Sequence, residues 1–193
     1  MSLRSCDAQS SLLPYRKRVV GSAKGRVLEI GAGSGLNLPF YGALVREILA
    51  LEPAPRLIAM ARRSARAPAP VTFIEGSAEA IPIDDESIDT VVTTWTLCTI
   101  PNASHALAEM RRVLRPGGAL LFVEHGRAPE AAVARWQDRL DPVWSYLAGG
   151  CHLNRKMDDL VTAAAFRIEA LQNSRLPGPR THTYLYEGRA RPA

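Results

Sequence analysis

Two spacings of apolar residues alternate along the chain. Short, mostly apolar runs bounded by glycine, proline or acidic residues occur at residues 27–30, 47–52, 71–75, 88–94 and 119–124, and read as strands. Between them the spacing is helical. Leu57, Ile58, Met60 and Ala61 predict a helix after Pro55 that ends before Pro68, and Ala106, Leu107, Met110 and Leu114 predict another, capped by Asn102 and closed by Arg115-Pro116-Gly117-Gly118. Strands alternating with helices imply a parallel sheet with right-handed crossovers. A helix over residues 12–20 precedes the first strand, within an amino-terminal arm at residues 1–25.

Beyond residue 129 the pattern changes. Val133, Trp136, Leu140, Val143, Trp144 and Leu147 recur at steps of three or four, predicting an amphipathic helix bent near Pro142 that buries this stripe in the core or caps a pocket. Asn154 then caps a helix carrying Met157, Leu160, Val161 and Ala164. Residues 166–171 and 182–187 form two last strands, an antiparallel hairpin at one sheet edge. The expected architecture is α/β: a Rossmann-like, doubly wound, mostly parallel seven-stranded sheet with an antiparallel C-terminal hairpin and a small helical lid at residues 129–152 after strand five. A length of 193 residues suits a single domain.

Composition narrows the picture. The uncharged stretch near residues 90–100 is too short and threonine-rich to span a bilayer and no signal peptide opens the sequence, so a cytoplasmic location is expected. Cys6, Cys98 and Cys151 are an odd number with no C-x-x-C pair, so free thiols are expected, and Cys98, Cys151 and His152 match no ligand spacing, so no metal is. The net charge of +5 comes from scattered arginines. Only Arg16-Lys17-Arg18 forms a cluster, a solvated helix face or a weak membrane contact, and no nucleic-acid partner is expected.

The chemistry centres on Arg26 to Asn37, RVLEIGAGSGLN. A strand stops at Gly31, Gly33 and Gly35, predicting a sharp turn into a helix whose free N–H groups face a ligand. The spacing is G-x-G-x-G, neither the dinucleotide G-x-G-x-x-G nor a Walker loop. Glu29 in the strand end repels phosphate and accepts a hydrogen bond from a cationic amino group, which favours a nucleoside bearing an amino-acid tail: S-adenosyl-methionine. Glu52 ends the second strand near the offset at which an acid grips ribose hydroxyls. Candidate cofactor residues are Glu29, Gly31, Ala32, Gly33, Gly35, Asn37, Glu52, Pro53, Ser77, Ala78, Glu79, Thr94 and Trp95. Asp84-Asp85-Glu86-Ser87 reads as a solvated loop.

With these strings, and with Met110-Arg111-Arg112-Val113-Leu114-Arg115-Pro116-Gly117-Gly118, the chain resembles the class I S-adenosyl-methionine-dependent methyltransferases along almost its whole length. Thr96-Leu97-Cys98-Thr99-Ile100, Glu124-His125, the string from Trp136 to Trp144 and Gly150-Cys151-His152-Leu153-Asn154-Arg155 resemble the alkyl thiol methyltransferases of animals and their small bacterial relatives. That resemblance implies methylation of a small thiol with S-adenosyl-homocysteine as product. The animal proteins' membrane residence is not expected to transfer, since nothing comparable to their hydrophobic amino-terminal segment opens this sequence.

His125, just past the fifth strand, is the candidate base or substrate hydrogen-bond partner, and Asp141 the candidate to orient the lid or touch substrate. Cys98, His125, Trp136, Trp144 and His152 are candidate substrate contacts. The alternatives are a phospholipid or quinone methyltransferase at a membrane surface, and a non-catalytic S-adenosyl-methionine-binding module. A monomer or homodimer is expected. RNA modification is not, because Thr94-Trp95-Thr96-Leu97 stands where an Asn/Asp-Pro-Pro-Tyr motif would end strand four.

Overall fold

In a computed structural model describing residues 3–64 and 66–193, seven strands form one sheet in the order β3-β2-β1-β4-β5-β7-β6. The strands are β1 (Gly25–Ile30), β2 (Val45–Glu52), β3 (Val71–Glu75), β4 (Ile88–Thr94), β5 (Leu114–His125), β6 (Phe166–Arg175) and β7 (Tyr184–Pro192). The first five are parallel, and β7 pairs antiparallel with both β5 and β6, so the expected doubly wound sheet with its edge hairpin is present. Residues 1, 2 and 65 and the side chains of residues 3–10 and 64, Cys6 among them, lie outside what is described, including part of the expected amino-terminal arm.

Both faces of the sheet are covered, which is why its strands read as continuous apolar runs rather than alternating ones. On one face Leu28, Ile30, Val91, Leu120 and Phe122 pack with Leu107 and Met110 of α3 (Ala103–Val113) and with Met157 and Val161 of α5 (Met157–Ala163). On the other, Val27, Ile48, Val92, Leu121 and Val123 pack with Val19 and Val20 of α1 (Leu3–Gly21). Asn102 caps α3 as expected, its Oδ1 accepting the His105 N–H at 3.0 Å. Pro55 opens α2 (Pro55–Ser64), a position where its missing N–H is no loss.

Four expectations are corrected. The glycine turn feeds no α-helix: Leu38–Phe40 is a single 3₁₀ turn, because Pro39 interrupts it and the loop's N–H groups are already used, those of Gly31 and Ala32 by the Leu51 carbonyl at 2.9 and 3.1 Å. The amino-terminal helix starts at Leu3, not residue 12. Asn154 caps nothing: Lys156 is the N-cap of α5, and the Asn154 amide donates to Asp138 at 3.1 Å.

The fourth concerns α4 (Ala131–Leu147), which buries its polar face. Gln137, 1% exposed, accepts from Ala128 N–H at 2.8 Å and donates to the carbonyls of Gly126 and Thr181 at 3.0 Å each. Asp141 accepts from Leu153 N–H at 2.6 Å. The loops beneath α4 supply unpaired backbone groups rather than an apolar surface, and a buried polar group is stable only when so paired. Most of the apolar stripe therefore faces out, with Trp136 56%, Val143 62% and Leu147 73% exposed, while Val133 and Trp144 stay half-buried.

Candidate active site

A cavity of about 490 Å³ opens at the carboxyl ends of β1 to β4, where the strand order reverses between β1 and β4. It is lined by Gly31 and Gly33 after β1, Glu52 and Pro53 after β2, Gly76 to Glu79 after β3, and Thr96 and Thr99 to Pro101 after β4. Gly31 has φ +66°, and a Cβ there would stand 2.4 Å from Thr96 Cγ2, so only glycine lets the β1 and β4 loops meet. Gly33 (φ +57°) donates its N–H to Glu52 Oε2 at 2.9 Å, while Glu52 Oε1 accepts from Ala54 at 3.0 Å. The two bonds aim a buried carboxylate, and it retains lone pairs for a ligand.

Of the expected cofactor residues, Gly31, Gly33, Glu52, Pro53, Ser77, Ala78 and Glu79 share this cavity. Others lie behind it. Asn37 donates to Glu29 Oε1 at 2.8 Å and to Thr94 Oγ1 at 2.9 Å, Tyr41 donates to Glu29 Oε2 at 3.0 Å, and Arg16 donates to Asn37. Burial pushes the Glu29 carboxyl up to about 7 against these bonds. Ala32 and Gly35 are tied within the loop by a 3.0 Å bond, and Trp95 (φ +51°) carries the Arg16 guanidinium 4.9 Å from its ring centre.

A second group sits beside the cavity. Cys98 belongs to the same turn as Thr96 and Thr99, and Cys151 follows Gly149, which also lines the cavity. Cys151 Sγ lies 3.0 Å from His125 Nε2 and 3.7 Å from Cys98 Sγ. The Cys98 contact, with the bond and charge of His125, brings the Cys151 thiol down to about 4 despite burial. Cys98 is pushed well above its ordinary value by the contact with Cys151 and by burial. Burial alone would lower His125, but the bond and charge of Cys151 and the charge of Glu124 leave it raised. Each partner thus favours the charged form of the other. Iodoacetamide is expected to alkylate Cys151 with an inflection near pH 4 while Cys98 stays unmodified at neutral pH; an inflection in the ordinary thiol range near 8.5 would contradict the assignment.

Trp144 closes this group. Its ring meets His182 edge-on at 4.3 Å, and its buried N–H lies beside Cys151 and helps to lower that thiol. His152 Nδ1 and Leu153 N–H both bond to Asp141, at 2.8 and 2.6 Å, and the His152 N–H donates to the Cys98 carbonyl at 2.8 Å. Asp141 thereby braces the turn carrying Cys151. Trp136, on the outer face of α4, is corrected: it contacts neither the cavity nor the cysteines. Sequence reasoning missed Thr96 and Thr99, and also Arg155, whose guanidinium donates to the Leu97 and Ile100 carbonyls at 2.5 and 2.7 Å and fixes the Cys98 turn. It missed Glu124 as well, fully buried and raised to about 7 by burial, with Oε1 accepting from Thr93 and Thr96.

A family model described as a methyltransferase domain matches residues 28–122. The human thiol S-methyltransferase TMT1A is 34% identical over 175 residues, covering 86% of this chain and 71% of the relative. The chain belongs to the S-adenosyl-methionine-dependent methyltransferases. Among other methyltransferases, the phosphatidylethanolamine N-methyltransferase of Cereibacter sphaeroides is 32% identical over 131 residues, 63% of this chain and 64% of that one. The solved S-adenosylmethionine-dependent methyltransferase of Mesorhizobium loti shares the methyltransferase fold, with a TM-score of 0.69 at 15% identity, over 94% of this chain and 97% of that one. The cofactor is S-adenosyl-methionine, and its product S-adenosyl-homocysteine. Among the described residues no helix is long and apolar enough to cross a membrane.

Proposed function

We propose that this methyltransferase methylates a small thiol. The observation that carries the reading is the Cys151–His125 pair: beside the cavity the chain already sets an imidazole nitrogen 3.0 Å from a sulfur. TMT1A, the thiol S-methyltransferase that matches most of the chain, supports it. In the proposed arrangement Gly31 and Gly33 admit the cofactor's backbone-hugging portion, Glu52 accepts from its ribose hydroxyls, and Ser77 to Glu79 flank its base. The volume falls in the ordinary range for small-molecule sites. Bound there, the cofactor supplies an electrophilic methyl group on sulfur.

The chain's own part is to ionise and aim the acceptor. A free thiol with a pKa near 8.5 is mostly protonated at neutral pH, and a cation beside it raises the thiolate fraction. His125 supplies that cation, and Trp144 and the 96–101 turn keep water away. His125→Gln is expected to lower kcat/KM roughly 100-fold at pH 7. The deficit should shrink above about pH 8.5, where the acceptor ionises unaided. A pH–rate profile that superimposes on the wild type would remove His125 from the reaction.

A second reading, a lipid acceptor at a membrane surface, rests on α4. Trp136, Leu140, Val143, Tyr146 and Leu147 form one exposed apolar face, with Arg135 and Arg139 at its edge. Co-sedimentation with anionic liposomes that is lost in Trp136→Ser/Leu147→Ser would favour it; protein remaining in the supernatant excludes it.

A further inference from the structure

Cys98, Cys151 and His125 come from three separate elements: the turn after β4, the turn after α4 and the end of β5. Their Sγ, Sγ and Nε2 atoms all lie within 4.8 Å of one another. A zinc-class ion with Zn–S near 2.3 Å and Zn–N near 2.0 Å in tetrahedral geometry sets its ligands about 3.8 Å apart for S···S and about 3.6 Å for S···N. The Cys98–Cys151 separation of 3.7 Å matches the first edge, and the Cys151–His125 separation of 3.0 Å reaches the second with a shift of about half an ångström. We propose that Cys98, Cys151 and His125 bind a soft or borderline-soft divalent cation, with a fourth position open toward the cavity side.

The framework is already rigid. Arg155 holds the carbonyls flanking Cys98, the His152 N–H bonds the Cys98 carbonyl, and Asp141 anchors residues 152 and 153. The turns carrying Cys98 and Cys151 are therefore held in place before any ion binds, and partial exposure of Cys151 supplies an entry path. Charge balances too. Two thiolates and a neutral imidazole around a divalent ion make a neutral unit, which a half-buried site tolerates better than a bare charge. Binding needs both thiols deprotonated and the imidazole neutral, so it releases protons. Sequence spacing concealed this set because the histidine is His125 rather than His152, and 26 residues separate it from Cys151.

The test is an anaerobic titration of the reduced, metal-stripped full chain with Cd²⁺, following thiolate-to-cadmium charge transfer in the near ultraviolet. The expected result is saturation at one ion per chain. Cys98→Ser, Cys151→Ser and His125→Gln should each weaken binding about tenfold or more, and Cys6→Ser should leave it unchanged. Absence of the band in wild-type protein, or its survival in the Cys98→Ser/Cys151→Ser variant, overturns the proposal; the wild-type result stands even if a variant fails to fold. The proposal does not depend on the thiol reading, which concerns the metal-free chain, because a His125 bound to metal supplies no imidazolium. Cadmium binding without thiol methylation keeps the site and removes that acceptor, and thiol methylation by protein that binds no cadmium removes the site.

Discussion

Gly31→Ala is expected to abolish measurable cofactor binding and to destabilise the chain by about 2–5 kcal/mol. The new Cβ would meet Thr96 Cγ2 at 2.4 Å and Oγ1 at 2.6 Å, at a backbone φ of +66°. Left-handed backbone costs an alanine roughly 1–2 kcal/mol, and forcing a carbon into a packed contact adds roughly 1–3 kcal/mol. The two parts are separable. Thr96→Ala in the same chain removes both offending atoms and leaves Thr96 Cβ at 3.1 Å, so it should restore the steric part and not the backbone part. Urea unfolding and calorimetric titration with S-adenosyl-methionine measure both. A Gly31→Ala protein with wild-type stability and affinity would mean that the β1 and β4 loops do not meet as described.

Glu52→Ala is expected to weaken S-adenosyl-methionine binding roughly 10- to 150-fold, the equivalent of about 1.5–3 kcal/mol for a lost charge-assisted hydrogen bond. The loss has two sources. The carboxylate fixes the glycine loop through Gly33 N–H and the following turn through Ala54 N–H, and its remaining lone pairs face the cavity. Glu52→Gln should fall between, since an amide keeps one acceptor oxygen and turns an N–H toward a donor. Unchanged affinity in both variants would place the ribose elsewhere.

Much of the fold was legible because it rests on local signals. The runs at residues 71–75 and 88–94 became β3 and β4 with the same bounds, and Asn102 reads as a cap from its position before an amphipathic run. Long-range pairing was not legible. β5 starts at Leu114 rather than residue 119 because Leu114 pairs with Ile88 ahead of a register shift. α4 turns most of its apolar stripe outward because Gln137 and Asp141 answer the backbone groups of residues 126, 128, 153 and 181, none of them nearby in a helical pattern. The glycine loop pointed to the cavity, but nothing near His125 pointed to Cys151, and Arg155 shows its purpose only once the Leu97 and Ile100 carbonyls converge on it.

The most direct measurement is carbon NMR of the product formed from methyl-¹³C S-adenosyl-methionine and 2-mercaptoethanol, an acceptor carrying a thiol and a hydroxyl on one small frame. The account predicts the label on sulfur, with stoichiometric S-adenosyl-homocysteine. Label on oxygen, or cofactor binding with no label transferred to this or any other small thiol, would contradict it.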